Sequence, residues 1–144
     1  MQFDPFQSPV GIASFVVCLY CTVAFGISWC GWRQLASTYA AESKPPGKTF
    51  RSASGWISPI GSYRNCLNVV SSATGIYIET QLLFRLFHRP LLFPWRCVST
   101  IDPQAGIFWH YTRLTIAAGF FTFRIRLPER AAEELQSHVS HAIQ

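Results

Sequence analysis

A chain of 144 residues has room for about one domain, and 49% hydrophobic against 13% charged residues places it on the apolar side of globular averages. Something besides a core must absorb that hydrophobicity. Five cysteines, an odd number in no regular spacing, do not form a disulfide framework, and nine dispersed glycines leave no Walker or dinucleotide loop.

The surplus is concentrated near the N-terminus. Val10 through Trp32 contains no Asp, Glu, Lys, Arg or His, and at about 1.5 Å per residue it covers about 30 Å of hydrocarbon. A cleaved signal peptide would need a positive start, a shorter apolar run and a small-x-small cleavage site. This N-terminus instead carries Asp4, has no Lys or Arg, and ends its apolar run in Trp29, Cys30, Gly31 and Trp32. The expectation is a retained transmembrane helix over 10–32, with Trp29, Trp32 and Arg33 as interfacial anchors. Basic residues tend to stay on the cytoplasmic side. None precedes the span, whereas Arg33, Lys44, Lys48 and Arg51 follow it, so residues 1–9 are expected outside and the C-terminal domain in the cytoplasm at the inner (plasma) membrane. Within the span, Ala24 and Ser28 have a small-xxx-small spacing, a weak signal for close helix approach.

After the span, Trp32, Leu35, Ala36 and Tyr39 recur at helical spacing and continue a helix with one apolar stripe. Glu42-Ser-Lys-Pro-Pro-Gly47 stops it, giving a juxtamembrane helix and linker over 33–48. From Thr49 the period changes to two, and turn residues arrive at short intervals, the pattern of an antiparallel β domain over 49–144. Candidate strands are Thr49 to Trp56, Arg64 to Ser72, Gly75 to Gln81, Leu82 to Phe87, Leu91 to Ser99, Ile107 to Ala117 and Phe120 to Leu127. The last is the clearest: Phe121, Phe123, Ile125 and Leu127 point one way, Thr122, Arg124 and Arg126 the other. Gly119 marks the preceding turn. Pro128 begins a C-terminal amphipathic helix whose apolar stripe is Ala132, Leu135, Val139 and Ile143.

About seven antiparallel strands closed by one helix resemble a pleckstrin-homology-like (PH-like) or GRAM-like barrel. The resemblance rests on Gly75-Ile-Tyr-Ile, on Phe84 through Trp95 with its closing Pro-Trp, and on Leu114-Thr-Ile. The chain is similar in this to small bacterial single-pass membrane proteins. The resemblance implies a scaffold that binds lipid headgroups or proteins and is not an enzyme. The strands that carry the headgroup site in such domains hold only Lys48, Arg51 and Arg64 here.

Individual chemistries have little support. Cys18 and Cys21 have the spacing of a redox or zinc pair but lie in the span without further ligands; His138 and His141 fit a solvated helix face. Asp102, in Ile-Asp-Pro-Gln-Ala-Gly, reads as a turn residue, and Glu79 as the partner of an exposed arginine. No catalytic residue, metal site or cofactor is expected. A net charge of +5 with arginine in excess raises nucleic-acid binding. A membrane-tethered domain has another use for that charge beside an anionic leaflet. The candidate contact residues are Arg85, Phe87, Arg89, Phe93, Trp95, Arg96, Arg124 and Arg126. They would serve a membrane protein partner, as in an accessory subunit of a complex, or the anionic headgroups of the bilayer through an arginine-rich face.

Overall fold

A computed structural model describes residues 8–58 and 61–142. The expected outer N-terminus and the last stripe residue, Ile143, lie outside the described residues, as does the side chain of Ser28. An apolar helix α1 (Pro9–Ile27) runs through a π-helical turn (Ser28–Trp32) into a short helix α2 (Arg33–Tyr39). The stretch Pro9–Gly26 is long and apolar enough to cross a membrane, and very little of it is covered by the rest of the chain. Gly31 makes the turn possible: its φ of 134° is a conformation in which a Cβ would clash.

Seven strands follow: β1 (Gly47–Ser58), β2 (Gly61–Ser72), β3 (Gly75–Thr80), β4 (Leu91–Pro94), β5 (Val98–Ala105), β6 (His110–Ala118) and β7 (Phe121–Pro128). They form one antiparallel sheet in the order β4-β3-β2-β1-β7-β6-β5, curled into a half-barrel. β1 is the hub, paired with β2 along one edge and with β7 along the other. A helix α3 (Ala131–Ala142) closes the chain. Each strand contributes alternate side chains to the concave core, among them Phe50, Ile57, Leu67, Ile78, Phe93, Leu114 and Phe123. Ala131 and Leu135 of α3 enter the same core.

The core also takes residues that precede the β domain. Trp32 and Leu35 are 0% and 2% exposed, sealed among strand side chains. The Trp32 ring meets Tyr63 at 5.2 Å, His88 at 5.1 Å and Phe123 at 6.1 Å. Its Nε1–H donates to the Arg89 carbonyl at 2.7 Å, which satisfies the one polar atom it carries inward. Tyr39 packs on Phe93, and the linker then bridges the edge of β4, Ala41 N–H donating to Pro90 O at 2.9 Å. Trp32 is therefore a core residue of the β domain and is not displayed at an interface. The helix continuing from the apolar segment is part of the domain it precedes.

Four stretches differ from their expected structure. Leu82 to Phe87 is not a strand: Leu82–Phe84 is a 3-10 turn, and the segment turns its apolar side chains outward beside α1. The run Leu91 to Ser99 is broken by a second 3-10 turn (Trp95–Cys97), so that β4 and β5 form the two edges of the sheet. Asp102 lies within β5, opposite Arg113, because an edge strand tolerates Pro103 on its free side. The C-terminal helix starts at Ala131, not Pro128, which is still paired with Tyr111 in the sheet.

Candidate interaction surfaces

The alternation in β7 places Arg124 and Arg126 on the convex face, with Ile125 and Leu127 in the core. The register sets their neighbours. Trp56 of β1 lies opposite Arg124, Ser54 lies opposite Arg126, and on the other side Arg113 of β6 lies opposite Arg126. Three arginines thus share one patch with the half-exposed indole of Trp56. Like charges facing each other across a strand pair are destabilising, and among the described residues no carboxylate lies within ion-pair distance of any of the three. Tyr111 organises the pair: Arg126 sits over its ring at 5.0 Å, and Arg113 Nη2 donates to its hydroxyl at 3.3 Å.

The other arginines expected on this face are elsewhere. Three strands separate β4 from β7 in the sheet, so Arg85, Arg89 and Arg96 do not join Arg124 and Arg126. Arg85 is committed to Glu79, its Nη2 2.6 Å from Oε2, while Lys44 Nζ holds Oε1 at 3.1 Å and Tyr77 donates its hydroxyl to Oε2 at 3.1 Å. Burial of Glu79 would raise its pKa, yet the Lys44 and Arg85 contacts hold the carboxyl below its ordinary value. Burial, helped by that carboxylate, pushes the Tyr77 hydroxyl up to about 12. This cluster fastens the linker to the outer side of β3. Two apolar candidates are also spoken for: Phe93 is fully buried, and Trp95 is buried with Nε1–H donating to Ser72 O at 3.0 Å and His138 stacked on its ring at 5.3 Å. Neither can be offered to a ligand. Sequence reasoning missed Arg113 and Trp56, since only the register of β1, β7 and β6 brings them beside Arg124 and Arg126.

A second feature lies where α1 meets the domain. Tyr20, Val23 and Ala24 of α1, together with Ser62, Tyr63, Arg64, Cys66, Phe84 and His88, line a mostly apolar cavity of about 160 Å³. His88 is buried beneath it, its Nδ1 3.3 Å from Leu86 O and its Nε2 3.4 Å from the Tyr63 hydroxyl. A carbonyl only accepts, so Nδ1 carries the proton and Nε2 accepts from Tyr63. Burial lowers the His88 pKa against the opposing pull of the Leu86 and Phe84 carbonyls, and burial raises that of the Cys66 thiol. Both His88 nitrogens face partners other than the Cys66 thiol, namely the Leu86 carbonyl and the Tyr63 hydroxyl.

Of the expected interfacial anchors, Trp29 is exposed, and the Arg33 guanidinium lies over its ring at 4.6 Å. Phe87 is partly exposed against Phe25 of α1, with ring centroids 5.4 Å apart. Among the described residues no group of three or more His, Cys, Asp or Glu could hold a metal ion. No family model, curated protein or solved structure matches this chain.

Proposed function

We propose that the chain is a non-enzymatic, single-pass membrane protein that presents a PH-like interaction domain at the cytoplasmic face of a bacterial inner membrane and binds a membrane protein partner there as an accessory subunit. The strand-strand-helix order, with β1 shared between the two halves of the sheet, supports the PH-like reading. Arg33, Lys44, Lys48 and Arg51 after the apolar stretch support a cytoplasmic domain. The observation that carries the binding role is the patch of Arg113, Arg124 and Arg126 beside Trp56. Two of its arginines oppose each other directly, and no carboxylate of the described residues forms an ion pair with them, although Asp102 stands opposite Arg113 in the register.

A sheet pays for such a patch in repulsion, and an acidic protein surface relieves it through bidentate guanidinium–carboxylate bonds. Arginine and tryptophan are also the side chains that dominate binding energy at protein interfaces. The full-length protein, crosslinked in membranes and purified in mild detergent, should carry a protein partner in fixed ratio. A protein that consistently runs alone, or that retains anionic lipid as its sole companion, overturns the reading.

A further inference from the structure

The connection between β3 and β4 is an apolar exposed segment that packs beside α1. Leu82, Leu83 and Leu86 are 80%, 73% and 51% exposed. They are not scattered but stand on one projecting turn beside α1. Phe84 of that turn reaches Tyr20, with ring centroids 6.2 Å apart, and Phe87 meets Phe25 edge-on at 5.4 Å.

These two contacts fix a depth. Within Pro9–Gly26, long and apolar enough to cross a membrane, Tyr20 lies six residues before Gly26, about 9 Å along a helix rising about 1.5 Å per residue. If Pro9–Gly26 spans the bilayer, Phe84 is then well inside the hydrocarbon, while Phe87, beside Phe25, sits near its boundary. From Phe84, beside Tyr20, to Phe87, beside Phe25, the turn runs along the last turns of α1.

Part of its backbone and its one charge have partners within the protein. Non-helical backbone in lipid must satisfy its own polar groups. Here Phe84 N–H donates to Gln81 O at 2.8 Å, Arg85 N–H to Leu82 O at 3.3 Å and His88 N–H to Arg85 O at 3.1 Å. Arg85 does not stay with its leucine neighbours; its guanidinium reaches back 2.6 Å from Glu79 on β3.

We infer that residues 82–87 form a second membrane element, a re-entrant turn immersed in the same leaflet as the C-terminal end of α1, so that the β domain is held to the bilayer at two points. The occupant of this apolar surface is lipid hydrocarbon. The inference rests on α1 being a transmembrane helix. An internal comparison exists in the β5–β6 connection, where Ile107, Phe108 and Trp109 are 93%, 83% and 78% exposed. They lie at the far end of β6 from the β6–β7 turn, the rim where β1, β2 and the α1 contact also end. Equally greasy, they stand away from the membrane.

The test uses the full-length chain in phosphatidylcholine vesicles containing a phosphatidylcholine with a photoactivatable diazirine in its acyl chain. Adducts are mapped by peptide mass spectrometry. Labelling of α1 and of 82–87, several-fold above that of 106–109, is expected. Leu83→Glu, at a side chain that contributes nothing to the core, should cut the 82–87 signal several-fold and leave α1 labelled as before. Labelled α1 with unlabelled 82–87 overturns the re-entrant turn alone. Unlabelled α1 overturns the span and the turn together, and equal labelling of 82–87 and 106–109 reduces the signal to unspecific adhesion.

Discussion

Trp32 stands at the end of an uncharged apolar run and has the sequence context of an interfacial tryptophan, yet it is fully enclosed in the core. An interfacial and a buried tryptophan look alike locally. What separates them is the convergence of Tyr63, His88 and Phe123, from elements up to 91 residues away by subtraction of their numbers. Trp32→Ala should destabilise the domain by about 3–5 kcal/mol, the range for emptying a large aromatic site. A thermal melt of the full-length protein in detergent checks this; a loss below about 1 kcal/mol would place the indole outside the core.

His88, stacked edge-on against that tryptophan, gives a pH dependence. Its pKa is lowered in the fold from the ordinary 6.5. The unfolded chain therefore binds a proton in a range where the folded one does not. Its contribution to stability is complete above about pH 6.5 and is lost as pH falls through the lowered folded value. The melting temperature should fall between pH 7 and pH 5, and His88→Gln should flatten that slope. Glu79 acts in a separate window, since its depressed pKa makes its contribution fade only as pH drops below 4.5. Glu79→Ala leaves Lys44 and Arg85 facing each other without their carboxylate and should cost about 1–3 kcal/mol in a melt at neutral pH.

At the scale of elements, legibility followed periodicity. The strict alternation of Phe121 to Leu127 specified β7, its register and the outward arginines, because a one-residue slip would bury Arg124 and Arg126. Leu82 to Phe87 has no alternation, and its hydrophobicity was read as a strand when it serves a surface turn beside α1. Asp102-Pro103 has turn chemistry but sits on an edge, where a missing N–H breaks no ladder. The candidate site was legible in part for the same reason: Arg124 and Arg126 follow from one strand, whereas Arg113 and Trp56 join them only through strand order. The passage from α1 to α2 hinges on Gly31, whose φ of 134° excludes a side chain without strain. Gly31→Val should misdirect Trp32 and lower the melting temperature as Trp32→Ala does, while membrane insertion of α1, read by resistance to carbonate extraction, stays intact.

For the whole molecule, the consequence is that the helical segment after α1 and the β domain form one packed unit. With Trp32 and Leu35 inside the half-barrel and the linker held by Lys44 to Glu79, the sheet has little freedom to swing on its helix. A fragment beginning at residue 46 would leave a hole where those side chains belong, so the domain is best studied with its helix attached. On the proposed function, the convex patch of Arg113, Arg124 and Arg126 then faces a set direction relative to the bilayer, as an accessory subunit would require. The measurement that tests this account most directly is co-purification of the tagged full-length protein, wild type against Arg124→Glu with Arg126→Glu, from crosslinked membranes. Both positions are exposed on the convex face, and Glu at 126 would face Arg113, so the double variant should melt no lower than the wild type and lose its protein partner. A partner retained in equal amount by the correctly folded variant would contradict the account.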